Sequence, residues 1–187
     1  MRLPARFAML PVAALLVSAT PADLMIPMPN TSDWTLVIPA GSPVSFRRFG
    51  EYGVARFNGR FVLNGRFSYG CSIECEGKLQ DSQLELIVYP DPESTSLLPR
   101  VKDRGGDMAI YIRNGSRPAH VLSTRQQRAA LRSGQISHLQ GRIEIVVDDL
   151  EISGDCDSVF YSARFVSFAK ASRKLAVAAS SGGAGCG

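Results

Sequence analysis

The stretch from Val54 to Tyr69, VARFNGRFVLNGRFSY, limits what this chain can fold into more than any other. Read in steps of two, its odd positions are Phe57, Gly59, Phe61, Leu63, Gly65, Phe67 and Tyr69, and its even positions are Arg56, Asn58, Arg60, Val62, Asn64, Arg66 and Ser68. One face is aromatic and the other basic. Only a strand sends successive side chains to opposite sides, so the pattern predicts one long, half-buried β-strand. Its two glycines fall on the apolar side, where a long strand bends or admits a neighbouring backbone if a sheet is to close into a small barrel. Either Asn-Gly pair also fits a hairpin turn. The unbroken phase of Phe57, Phe61, Leu63 and Phe67 favours a single ribbon.

The two ends set the boundaries. Residues 1–22 carry Arg2 and Arg6, an apolar run from Phe7 to about Ala19 and then small residues, the three parts of a secretory signal peptide. The run is shorter than the ~20 residues that cross a bilayer, although an uncleaved anchor is the rival reading. Export to a periplasmic or extracellular space is the expectation. Removing the leader's two arginines and no acids from 21 basic and 17 acidic residues leaves 19 against 17. So balanced a chain is not built chiefly to coat nucleic acid. Residues 23–33 read as a linker, 34–169 as one β-barrel domain, and 170–187 as a weakly helical to flexible tail. Cys71, Cys75, Cys156 and Cys186 are an even set, and in an oxidising compartment disulfides are the first expectation. A metal site is disfavoured, because His120 and His138 lie in unrelated segments.

Between the ends, WTLVI (34–38) reads as a short strand stopped by Pro39, and residues 40–53 as a loop pinned by Phe46, Phe49 and Tyr52. LELIVY (84–89), MAIYIR (108–113) and SVFYSARFVSFA (158–169) read as further strands, and the loop at 90–107 is long enough for a function or a small element. Ser123 or Thr124 caps a helix over RQQRAALRSG that Gly134 stops. In GRIEIVVDDLEIS (141–153) the apolar phase slips by one at Asp148-Asp149, which predicts a bulge or a turn.

Long strand, strand, strand, helix, strand, strand resembles the OB-fold, a five-stranded Greek-key barrel with its helix between strands 3 and 4. The resemblance is architectural and covers residues 54–169; the alternatives are another small β-barrel, lipocalin-like, or a β-sandwich. It implies that the end of the first barrel strand and the start of the fifth lie at opposite ends. Cys71 is then too far from Cys156 for a disulfide, and the expected bridges are Cys71 with Cys75 and Cys156 with Cys186.

For function, Arg56, Arg60 and Arg66 form a row of donors suited to phosphate or carboxylate groups of a polymer, extended by Tyr111 and Arg113 on the third strand and by Lys102 and Arg104 before it. The bland alternative is a solvated strand face that discourages edge-to-edge association. Asp148, Asp149, Glu151, Asp155 and Asp157 invite a calcium reading, but their spacing fits no EF-hand loop. There is no GxSxG, HExxH or phosphate-cradling motif, and no cofactor is expected. Asn30 and Asn114 lie in glycosylation sequons. The expectation is a non-enzymatic binding or interaction module of the cell envelope, contacting an anionic or carbohydrate polymer or an envelope protein. The alternative is a carboxylate-based hydrolase of cell-wall or sugar substrates, which would place Asp148, Asp149 or Asp107 in a deep pocket.

Overall fold

The computed structural model describes residues 22–29, 31, 33–71, 80, 83–104, 108–155, 158–169 and 178–180. In chain order the strands are β1 (Leu24–Pro27), β2 (Thr35–Ile38), β3 (Ser45–Phe49), β4 (Ala55–Asn58), β5 (Arg60–Cys71), β6 (Leu84–Pro90), β7 (Arg100–Val101), β8 (Ile110–Ile112), β9 (His138–Asp155), β10 (Ser158–Phe168) and β11 (Ala178–Ser180). The helices are α1 (Pro92–Ser96), α2 (Ser116–Leu122) and α3 (Arg125–Arg132), with a 3-10 turn at Glu51–Gly53. Residues 1–21 of the expected leader, and Cys75, Cys156 and Cys186 of the expected bridges, lie outside the described residues.

Five strands close on themselves. β5 lies antiparallel between β6 and β9, β6 pairs with β8, β8 runs parallel to β10, and β10 returns antiparallel to β9. Numbered as barrel strands the order is 1-2-3-5-4-1, with α2 and α3 between the third and fourth. This is a closed Greek-key barrel of the OB type, as the order of sequence elements implies. Gly70 pairs with His138 at one end of β9, and Asp155 pairs with Ser158 at the other, so the end of β5 and the β9–β10 turn are at opposite ends.

The ribbon at 54–69 keeps its predicted faces but is not continuous. Phe57, Phe61, Leu63, Gly65, Phe67 and Tyr69 are buried, while Arg60, Val62 and Arg66 are exposed. At Gly59 the backbone turns to φ +126°, and the run divides into β4 and β5. The division is a bulge and not a hairpin, because both halves pair antiparallel with the same strand, Arg56 with Glu151 and Arg60 with Asp148. A side chain at 59 would meet the Pro43 carbonyl at 2.6 Å. Gly59 itself is exposed, off the apolar face; only Gly65 lies within it, where a Cβ would stand 2.1 Å from the Tyr89 carbonyl oxygen. Gly65 lets β6 cross closely, and Gly59 supplies the bend.

β9 bends at the matching place. Asp149 has φ +56°, and the register with β10 slips between Ser162 and Arg164, so Ile143, Ile145, Val147, Leu150 and Ile152 all stay in the core. The predicted slip is thus a bulge within one strand. Thr124 caps α3 through a capping box with Gln127, and Gly134 follows at φ +72°. The sequence reading lacked α2, whose Pro118 lies in the first turn, where proline is tolerated.

Three further expectations are corrected. The linker at 23–33 contains β1, which with β2 and β7 makes a three-stranded sheet whose Trp34, Leu36, Ile38 and Val101 join the barrel core. The loop at 40–53 contains β3, an edge strand on β4; Phe46 and Phe49 pack there, but Tyr52 is 89% exposed. Ala178–Ser180 of the tail is a strand on β9. In the 90–107 loop lie α1 and β7.

Candidate functional site

The paired bulges bring arginines and carboxylates together on the outer wall of the barrel. Asp148 on β9 stands opposite Arg60 on one flank and Arg164 of β10 on the other. Its carboxylate is almost buried, with 8% of the residue exposed. Arg164 grips it with a fork, Nε donating to Oδ1 at 2.9 Å and Nη2 to Oδ2 at 3.0 Å. Arg60 Nε lies 3.6 Å from Oδ2, an ion pair without a hydrogen bond. A carboxylate taken out of water costs several kcal/mol unless it is paired in this way. In return, its hydrogen bond and then its charge raise the pKa of the Arg164 guanidinium above the ordinary value.

A second group continues the cluster. Arg113, just past the end of β8, reaches Glu151 with Nη1 2.5 Å from Oε2 and Asp149 with Nη2 3.2 Å from Oδ2. It also donates to the backbone carbonyl of Asp149, which ties down the left-handed residue of the bulge. Arg56 Nε lies 3.2 Å from Glu151 Oε1, buried and without a hydrogen bond. Four guanidiniums therefore face three carboxylates. The side chains of Arg60 and Arg164 remain 69% and 56% exposed, and between them is a depression of about 240 Å³ that Asn58, Gly59 and Asp149 also line.

Of the residues expected to bind, Arg56, Arg60 and Arg113 come together, and each is partnered by an acid. Arg66 is apart: it is exposed, stands opposite Tyr89 and Arg142, and has no ion-pair partner among the described residues. Tyr111 is half-buried between Ile87 and Ser162 and so belongs to cross-strand packing. Arg104 lies over the Trp34 ring at 4.9 Å, against the small sheet. Cys71 ends β5.

Sequence reasoning missed Arg164. Its signal was present, since Tyr161, Ala163 and Phe165 fix the inward parity of that strand and leave Arg164 facing out. Asp148, Asp149 and Glu151 were visible as acids but not as partners of the basic row. No group of three or more side chains placed to hold a metal ion is found among the described residues. Asp148 and Asp149 line a shallow depression and not a deep pocket, and Asp107 lies outside the described residues.

The fold and this cluster define a small OB-type barrel with a guanidinium-rich outer wall. No family model, no curated protein and no solved structure matches the chain.

Proposed function

We propose that this protein is an exported, non-enzymatic binding module whose outer wall around Asp148 holds an anionic polymer. The observation that carries the reading is one nearly buried carboxylate holding Arg60 and Arg164 side by side while both stay more than half exposed. Two cations so placed would repel each other, and the shared acid offsets that repulsion before any ligand arrives. Their remaining N–H donors form planar forks suited to carboxylate or phosphate groups. With a near-neutral chain after the leader, this local excess of charge supplies the attraction. The leader-like residues 1–22 support export. The hydrolase alternative draws no support from Asp148, Asp149 and Glu151, each of which is engaged by a guanidinium.

A glycan and oligonucleotide array tests the reading. Arg60→Gln and Arg164→Gln, each made with Asp148→Asn so that no buried charge is stranded, should lower binding to polyanions about tenfold, the worth of one charge-assisted hydrogen bond. Arg66→Gln, away from the cluster, should change it less than about twofold. Binding that depends on Arg66 and ignores the cluster would sink the proposal.

A further inference from the structure

We infer that the hairpin of β3 and β4 adds a second subsite to this wall, with Tyr52 as a platform for a sugar ring, and that the polymer is an acidic polysaccharide. The inference rests on the reading of the Asp148 wall as a binding surface. Its starting point is a cost without a return. Tyr52 sits at φ 56°, ψ 22° in the hairpin turn, a left-handed conformation that disfavours any residue with a Cβ. Its side chain is exposed, so burial does not offset that cost. Nor is the turn loose: the Gly50 N–H donates to the Val54 carbonyl at 2.8 Å, and the Val54 N–H to the Glu51 carbonyl at 3.3 Å. An aromatic displayed in water from an ordered turn, at the expense of stability, is placed for contact with something outside the chain.

Next to it is a depression of about 630 Å³ that Arg48, Phe49, Glu51 and Arg56 help to line, within the size range of small-ligand sites. Arg48 stands opposite Arg56 in register and has no ion-pair partner among the described residues. Arg56 Nε lies where a Cβ on Gly50 would meet it at 3.2 Å, buried and without a hydrogen bond. Arg56 lines this depression and shares an outward parity with Arg60, which lines the one beside Asp148, so the two lie along one wall. Arg56 and Arg60 stand opposite Glu151 and Asp148, three residues or about 10 Å apart along β9, so a ligand touching both depressions is longer than one sugar.

Two features favour an acidic polysaccharide over a nucleic acid. Glu51, Asp149 and Glu151 are interleaved with the arginines; sugar hydroxyls donate to carboxylates, whereas a run of phosphates is repelled by them. Tyr52 and Phe160 are the two exposed large aromatics among the described residues, one in the β3–β4 turn and the other on β10, and they do not form the run of stacking platforms on which single-strand binders lay successive bases.

Calorimetric titration with oligogalacturonates of two and six units, and with an oligothymidylate of equal charge to the longer sugar, tests this. The hexamer should bind more tightly than the dimer, and Tyr52→Ala should lower hexamer affinity about fivefold or more while leaving the dimer, which fits the Asp148 depression alone, unchanged. Tyr52→Phe should retain binding. Tyr52→Gly should lose it and raise the melting midpoint by about 2 °C, since glycine relieves the left-handed strain. Equal affinities for dimer and hexamer, indifference to Tyr52→Ala, tighter oligothymidylate binding or no hexamer binding each overturn the inference. If hexamer binding ignores Tyr52 but still needs Arg60 and Arg164, the second subsite alone is wrong; if it needs neither arginine, the underlying reading falls as well.

Discussion

Tyr161 and Asn114 are two single residues whose surroundings decide their chemistry. Burial pushes the Tyr161 phenol up to about 12, against a backbone hydrogen bond at Val101 and the charge of Arg100. The fold therefore favours the neutral phenol. Its contribution is complete below the ordinary value of 10 and is lost as pH climbs toward 12, a loss of about 2 kcal/mol by that pH. Denaturant titrations between pH 9 and pH 12 should show this decline, and Tyr161→Phe should remove most of it. Asn114 acts as a substitute backbone: its amide nitrogen donates to the Phe165 carbonyl at 3.0 Å and its oxygen accepts from the Phe165 N–H at 2.7 Å, just where β8 has ended. Asn114→Ala strands both groups and should cost about 2 kcal/mol in a denaturant melt.

At the level of strands and helices, the closest approach is at Gly65. With 2.1 Å between a would-be Cβ and the Tyr89 carbonyl oxygen, Gly65→Ala must separate β5 from β6. The expected cost is about 3 kcal/mol or more, measured by equilibrium unfolding. The elements legible in the sequence were those with local signatures. The alternation of β5, the phase slip in β9 and the cap at Thr124 are written in neighbouring residues. β3 was not legible, because SFRRF sits among turn formers and becomes a strand through its pairing with β4. The basic row was half legible. Parity placed Arg56 and Arg60 outward, but which acid meets which arginine depends on two registers, β4 and β5 on β9 and β10 on β9, and both shift at the bulges. Asp148 could be counted in the sequence; its two partners could not be assigned there.

The molecule as a whole has one core. Trp34, the only tryptophan, lies in the small sheet's part of it, while Phe57, Phe67 and Ile145 lie in the barrel's part of the same cluster. The two sheets should therefore unfold together, with the Trp34 fluorescence midpoint coinciding with the far-ultraviolet circular dichroism midpoint. An earlier fluorescence transition would show that the small sheet peels away first. β9 ties the rest together: it neighbours β4 and β5, which precede it, and β10 and β11, which follow. The ring cannot shut until β10, which ends at Phe168, has been made. Phe57, Phe61 and Phe67 stay uncovered until residues 138–155 arrive, so a product truncated before them should clump with its own kind and not survive as a working fragment.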